Sequence, residues 1–216
     1  MTSSITIMLV DDHAVVRAGY KRYIQLDPAL SVVAEASTGE EAYALLLSQP
    51  ADVVIMDLSM PGQGGFETLR RILARHPQQK VLVFSMHENA VMAQQALQLG
   101  ASGYLTKSMA PDEIVRAIHR VMAGERPLAP SLDLAPLDAA SPHAELLPRE
   151  VEVLTLMAEG HANDVVAARL HISERTAANY ATNIRRKLGL SSHYEIRAYA
   201  EKHGLIVAAP KPVSPG

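Results

Sequence analysis

Short runs of apolar, β-branched residues alternate with longer stretches of helical period over the first 124 residues. Residues 5–10, 31–36, 53–56, 80–85 and 103–105 read as strands, and 14–26, 38–47, 66–75, 88–99 and 111–123 read as helices. Strands rich in Val and Ile are buried on both faces, and a helix between consecutive strands makes each connection a crossover between parallel neighbours. The pattern predicts an α/β doubly wound domain built on a five-stranded parallel sheet. Local signals agree. Ser37 and Thr38 precede Glu40-Glu41 as an N-cap, Gly100 follows Leu99 as a stop, and Pro111 suits a first helical turn.

From 127 onward that alternation is lost. Pro127, Pro130, Pro136, Pro142 and Pro148 recur among Leu, Ala, Ser and Asp, the texture of a semi-extended linker over 127–145. Helical period returns in 149–159, 163–170, 174–188 and 192–203, separated by Gly160-His161, His171-Ile172-Ser173 and Gly189-Leu190-Ser191. Four short helices make an all-α domain over 146–207 that can hold a helix-turn-helix. The α/β domain then spans 1–126, and the Pro- and Ala-rich tail 208–216 is expected to be disordered.

With 48% hydrophobic and 20% charged residues, the chain has ample apolar material for two cores. A net charge of −3 excludes a polycation. Residues 143–216 carry 9 basic against 8 acidic side chains, so charge by itself does not point to nucleic acid. The absence of cysteine fits a reducing compartment. No apolar run reaches the ~18 residues of a membrane span, and Asp11 ends the first short run with no basic segment ahead of it. A cytoplasmic protein with no membrane partner is expected.

The chemistry gathers at strand ends. Asp11 and Asp12 close the first strand, Asp57 closes the third, and Lys107 ends the fifth. In an open parallel sheet these carboxyl ends meet in one crevice, where such folds place their sites. Crowded carboxylates repel one another unless a cation intervenes. A hard divalent ion, with a lysine for an incoming phosphoryl group, resolves the clash. Any one of these residues alone would be an ordinary loop acid or surface charge. Their coincidence at separate strand ends points to a phosphorylation site.

Val10-Asp11-Asp12-His13, Met56-Asp57-Leu58-Ser59-Met60-Pro61-Gly62, Ser85-Met86-His87 and Gly103-Tyr104-Leu105-Thr106-Lys107 resemble the receiver domain of two-component response regulators, a flavodoxin-like fold. The resemblance implies Asp57 as phosphoacceptor from a histidine kinase, and Mg2+ held by Asp11, Asp12, Asp57 and the main-chain carbonyl of Ser59. It further implies Lys107 and Ser85 as phosphoryl contacts and Tyr104 as a switch residue. His13 and His87 are read as solvent-edge residues, since Mg2+ prefers oxygen ligands.

Leu147-Pro148-Arg149-Glu150-Val151-Glu152-Val153-Leu154, Ala158-Glu159-Gly160, Ala167-Ala168-Arg169-Leu170, Ile172-Ser173-Glu174-Arg175-Thr176 and Arg185-Arg186-Lys187-Leu188-Gly189-Leu190 resemble a LuxR-type DNA-binding domain. The two together resemble response regulators of the NarL/FixJ class. Helix 174–188 would be the recognition helix, with Ser173 its N-cap and Arg175, Thr176, Asn179, Asn183, Arg185, Arg186 and Lys187 as candidate DNA contacts. This chain departs from the family at several positions. Where the family usually has Thr-Val-Lys-x-His, it has Thr176-Ala177-Ala178-Asn179-Tyr180; Asp164 stands for a usual lysine, His193 for an arginine, and Leu147 for a capping threonine.

The leading expectation is a non-enzymatic regulator, phosphorylated on Asp57, that dimerises or releases its helical domain to bind double-stranded promoter DNA. The alternative is a phosphorylation-gated protein-interaction module whose helical domain has drifted from DNA, suggested by Asp164, Ala178, Tyr180 and His193. A phosphatase acting on metabolites would need a substrate cap, which the chain lacks.

Overall fold

The computed structural model describes residues 4–60, 64–86, 88–132, 146–203 and 205–206. The expected linker beyond 132, the tail 208–216, and Pro61, Gly62 and His87 lie outside the described residues. Elements run in the order β1 (Ile5–Val10), α1 (Ala14–Ile24), β2 (Leu30–Ala36), α2 (Gly39–Ser48), β3 (Val53–Met56), α3 (Gly65–Arg75), β4 (Lys80–Ser85), α4 (Ala90–Gln98), β5 (Gly103–Thr106) and α5 (Pro111–Met122). The helical part adds α6 (Pro148–Ala158), α7 (Asn163–Arg169), α8 (Glu174–Leu188) and α9 (His193–Lys202).

All five strands are parallel, in the order β2-β1-β3-β4-β5. Strand alternation divides the sheet's two faces. Ile7, Leu9, Ile55, Leu82 and Phe84 pack against α1 and α5. Met8, Val10, Val54, Met56 and Val83 face α2, α3 and α4. Along β1 and β2 the pairing skips Val33 between Ile7↔Val32 and Met8↔Ala34, so that residue turns outward while the flanking residues keep their faces. Thr38 caps α2 by accepting from the Glu41 amide, and Pro111 opens α5.

The proline-marked segment after α5 is partly attached to the sheet. Tyr104 donates its amide to the Pro127 carbonyl at 3.0 Å, and Ala129 donates to the Tyr104 carbonyl at 2.9 Å. Pro127 needs no N–H for this, because it lies along the open edge of β5, where proline is tolerated. Residues 127–129 thus extend the sheet edge before the chain leaves the described region.

The core does not stop at the domain boundary. One apolar cluster runs from the sheet through Met92 and Ala93 on α4 into Val151, Leu154 and Met157 on α6, and on to Ile184 and Ile196. The helical domain therefore packs against α4. Leu147 at the N-cap of α6 has no side-chain acceptor; Glu150 compensates by accepting the Leu147 amide at 2.8 Å.

Candidate functional site

The sheet ladder continues one residue past three strands and fixes the side chains that follow. Asp11 donates its amide to the Ala36 carbonyl, Asp57 to Val10, and Lys107 to Ser85, at 3.1, 2.9 and 2.8 Å. Asp11, Asp57 and Lys107 are thereby carried to adjacent positions at the carboxyl edge, around the point where strand order reverses between β1 and β3. Gly65 closes the floor. A Cβ there would meet Leu58 Cα at 2.3 Å and the Asp57 carbonyl at 2.6 Å, so no other residue lets α3 start so close to Asp57.

Lys107 bridges the carboxylates: its Nζ lies 2.6 Å from Asp11 Oδ2 and 2.6 Å from Asp57 Oδ2, with the lysine side chain only 6% exposed. Burial alone pulls the ammonium down, but Asp57 and Asp11 outweigh it and hold the Lys107 pKa above its ordinary 10.5. Asp57 Oδ1 accepts the Ser59 amide at 3.0 Å, so both oxygens of this buried carboxylate have a donor. Asp12 Oδ1 is buried too, with His13 Nδ1 2.9 Å from it. Asp11, Asp12, His13 and Asp57 offer ligand atoms all within 4.8 Å of one another. A hard oxygen-preferring divalent ion fits the three carboxylates of this group.

Ser85 and Tyr104 are both fully buried, and their hydroxyls are hydrogen-bonded. Burial raises the Tyr104 pKa despite that bond, and the charges of Asp57 and Glu152 add to the rise. His13 is at the solvent edge, as the sequence suggests, yet its Nδ1 reaches within 2.9 Å of Asp12 Oδ1.

The sequence reading missed the residues that join the two domains across this edge. Asn89, buried ahead of α4, caps that helix by accepting the amides of Val91 and Met92 through Oδ1. Its Nδ2 donates to Thr155 Oγ1 and to the Leu205 carbonyl, both at 3.3 Å. Gln95 donates to the Leu146 carbonyl at 3.0 Å. Arg149 lies over Gly64, where a Cβ would stand 3.7 Å from its Nη1, and donates to Glu152 at 2.5 Å and to the Leu170 carbonyl. Glu152 is 2% exposed; burial raises its carboxyl pKa, Arg149 partly offsets this, and the charge of Asp57 raises it further. His171 Nε2, in the turn before α8, lies 3.8 Å from Asp12 Oδ2. A charged residue inside the apolar run Val151-Glu152-Val153-Leu154 was the available signal for a buried pair.

On α8 the structure separates the sequence candidates. Arg175, Asn179, Asn183 and Arg186 are exposed at helical spacing and form one stripe. Ser173 caps the helix by accepting the Thr176 amide, and Thr176 is half-buried beside it. Lys187 turns inward to Glu150 Oε2 at 2.6 Å, and Arg185 is half-buried. Lys187 serves a buried carboxylate that also caps α6.

A doubly wound domain with a carboxylate and lysine pocket, followed by a helix-turn-helix, is the architecture of a signal-responsive regulator. The family model "Response regulator receiver domain" matches residues 7–119, and "Bacterial regulatory proteins, luxR family" matches 144–200. The chain belongs to the response regulators that join a receiver to a LuxR-type domain. It is similar to the response regulator UvrY of Escherichia coli K12, 34% identical over 93% of this chain and 95% of the relative. It is also similar to the nitrate/nitrite response regulator protein NarL of the same organism, 37% identical over 91% and 95%. A LuxR-family two-component response regulator from Aurantimonas sp. SI85-9A1 superposes with TM-score 0.59 at 45% identity, over 60% of this chain and 93% of that one. RcsB from Salmonella enterica serovar Typhimurium, bound to promoter rprA in the presence of phosphomimetic BeF3-, superposes with TM-score 0.63 at 26% identity over 91% and 98%. Among the described residues no helix is long and apolar enough to cross a membrane.

Proposed function

We propose that this response regulator accepts a phosphoryl group on Asp57 from a phosphohistidine of a cognate histidine kinase, and that the modification switches DNA binding by the helical domain. The observation that carries this reading is the buried Lys107 ammonium shared at 2.6 Å between Asp11 and Asp57. In the transfer, an Asp57 carboxylate oxygen attacks phosphorus, the N–P bond breaks, and its electron pair returns to the kinase imidazole. Lys107 moves from the resting carboxylates to the phosphoryl oxygens. The buried Ser85 hydroxyl donates to one of them, and the buried Tyr104 ring responds to that movement. Asp11, Asp12, Asp57 and the Ser59 main-chain carbonyl would hold Mg2+, which when bound offsets negative charge on the transferring oxygens. Transfer to itself and hydrolysis of the resulting aspartyl phosphate, which releases inorganic phosphate, are the only reactions assigned to this chain.

The docked helical domain gives the switch something to act on. Phosphorylation replaces the single charge of the Asp57 carboxylate with a roughly double-charged phosphate, adding about one negative charge to a pocket that already raises the pKa of Glu152 across the interface. The turn before α8 stands against Asp12, so DNA phosphates approaching that helix end would meet the pocket's carboxylates. Release of α6 from α4 frees the stripe Arg175, Asn179, Asn183 and Arg186 to enter a major groove. Two such helices in a homodimer would read half-sites about 34 Å apart. The relative RcsB is described as bound to promoter DNA in the presence of a phosphomimetic, which supports this reading.

A second reading, a phosphorylation-gated protein-interaction module, is favoured by one observation. Asp164 is exposed at the start of α7, where a cation would help hold DNA. One experiment separates the two: the full chain is mixed with genomic DNA fragments at fixed salt, with and without beryllofluoride and Mg2+. Enrichment of a palindromic site only in the activated sample supports the regulator. No enrichment in either, with beryllofluoride bound, supports the interaction module.

A further inference from the structure

Arg17, in the opening turn of α1, reaches back to the end of β1 and donates through Nη1 to the main-chain carbonyl of Asp11. The need for that donor follows from the sheet. In a strand the N–H and C=O of one residue point to the same side. The Asp11 amide bonds to Ala36 on β2, so the Asp11 carbonyl faces β2 as well. The next donor on β2 would come two residues beyond Ala36, where the chain has already turned into Thr38, the cap of α2. Arg17 supplies the donor that the strand no longer provides.

The guanidinium is always charged, and its side chain is 17% exposed. Glu35 on β2 borders it: Oε1 takes Lys21 Nζ at 2.6 Å, and Oε2 stands 3.9 Å from Arg17 Nε. Arg17, Asp11 and Asp57 also line one small cavity between α1 and the sheet.

Asp11 is held at four points. Its amide bonds to Ala36 and its carbonyl to Arg17, while Oδ1 accepts the His13 amide at 2.8 Å and Oδ2 takes Lys107. The two carboxylate contacts occupy oxygens that a divalent ion would need, and in the proposed transfer Lys107 leaves for the phosphoryl group. Arg17 competes for neither oxygen. The carbonyl it holds belongs to the planar peptide unit that runs from the Asp11 Cα to the Asp12 Cα. Fixing that oxygen fixes the points from which both acidic side chains start.

We propose that Arg17 is a positioning residue of the pocket, holding the Asp11–Asp12 peptide so that both carboxylates stay aimed at the divalent ion while Lys107 changes partners. The proposal rests on the phosphorylation reading and deepens it. Its sign is specific. A guanidinium acting by charge alone would repel Mg2+ and weaken its binding. One acting by position strengthens binding, since partners that orient metal ligands are typically worth about 10–100-fold in affinity.

The test measures Mg2+ binding to the chelator-treated full chain by calorimetry, in the wild type, Arg17→Met and Arg17→Lys. Methionine keeps much of the apolar stem without donor or charge, and lysine keeps both. Arg17→Met should bind Mg2+ at least about tenfold more weakly, and Arg17→Lys should recover most of that loss. Labelling of Arg17→Met by a small phosphodonor should need correspondingly more Mg2+, with the rate at saturating Mg2+ close to that of the wild type. Equal or tighter Mg2+ binding by Arg17→Met would overturn the proposal, as would a lowered melting temperature with Mg2+ affinity unchanged. If Arg17→Met does not fold, Arg17→Gln carries the same prediction, because its donor is two bonds nearer the backbone and falls short of the carbonyl. A wild type that binds Mg2+ but takes no label would remove the phosphorylation reading, and the Mg2+ comparison would still decide the role of Arg17. A wild type that binds no Mg2+ would overturn both.

Discussion

Asn89 and Thr155 meet across the two domains, amide Nδ2 to hydroxyl Oγ1 at 3.3 Å, and the same Asn89 side chain caps α4. The cap and the interdomain bond are therefore opposite ends of one amide, on the loop that follows Ser85. Movement of Ser85 toward a phosphoryl group would shift this loop and strain the bond to α6. Thr155→Val keeps the shape and leaves the cap intact, while the interdomain hydrogen bond is lost. It should weaken docking by about 0.5–1.5 kcal/mol and raise DNA affinity without phosphorylation. Amide exchange in α6 and fluorescence anisotropy with a target duplex measure the two effects. Slower exchange in the variant would contradict the role of the pair.

The pocket itself makes a sharper demand. Asp57→Asn should abolish acid-labile labelling by a small phosphodonor with Mg2+, because the variant has no carboxylate oxygen at this position. Lys107→Ala should retain some labelling yet fail to convert it into dimers, since the cation that follows the phosphoryl group is gone. Undiminished labelling of Asp57→Asn, or ordinary phosphate-dependent dimers of Lys107→Ala, would each count against the assigned roles.

Glu152 predicts a pH dependence. Burial holds its carboxyl above the ordinary 4.5 in the folded chain. A carboxyl with a raised folded pKa binds its proton more tightly in the folded state than in the unfolded one. Stability contributed by this group therefore rises as pH falls from above the folded pKa toward 4.5, and is constant beyond either end of that window. Glu152→Gln has no proton to take up. Relative to the variant, the wild type should gain thermal stability as pH is lowered from neutral to 4.5. A difference that is flat, or that grows with rising pH, would remove Glu152 from the account.

The α8 assignments separate affinity from stability. Arg175→Ala and Asn179→Ala should each cost about 1–3 kcal/mol of discrimination if they reach base edges, with thermal stability nearly unchanged, because both side chains are exposed. Lys187→Ala should instead cost about 1–3 kcal/mol of stability by leaving the buried Glu150 short of a donor. Its specific contacts with DNA should persist. Melting curves and salt-matched binding on the same preparations distinguish the two classes.

The pocket was legible because each of its residues ends a strand. Asp11, Asp57 and Lys107 follow apolar runs whose parallel pairing brings their ends together. The five strands and the four short helices were legible for the same reason, since period and punctuation are local. Docking was not legible. Asn89 meets Thr155 66 positions away and Leu205 116 positions away, and no local pattern marks such pairs. Lys187 was ambiguous in a related way. A basic residue at a helix C-terminus suits the helix dipole, a DNA phosphate or a buried acid equally well, and only the packing of α6 against α8 selects Glu150. Pro127 read as linker because proline breaks a ladder, but an edge strand accepts its carbonyl without asking for an amide.

Asp164 and Ala178 decide how far the helical domain has moved from its family's chemistry. Asp164 is exposed at the first turn of α7, its carboxylate accepting the Val165 amide at 2.8 Å, and Ala178 is half-buried on α8. Each stands where the family usually carries a lysine, so the native surface offers fewer counterion-releasing contacts. Every restored phosphate contact should steepen the dependence of log affinity on log salt by about 0.9 and strengthen binding at low salt. The double variant Asp164→Lys with Ala178→Lys should therefore bind DNA more tightly and lose that gain as salt rises. If the wild type binds a specific site and the double variant merely binds all sequences better, the native substitutions tune affinity in a working DNA reader. If the wild type binds nothing when activated and the double variant gains a site, the native helical domain serves a protein partner. Duplex binding measured across a salt series, with beryllofluoride present throughout, separates these outcomes because the slope reports phosphate contacts and the site preference reports base contacts.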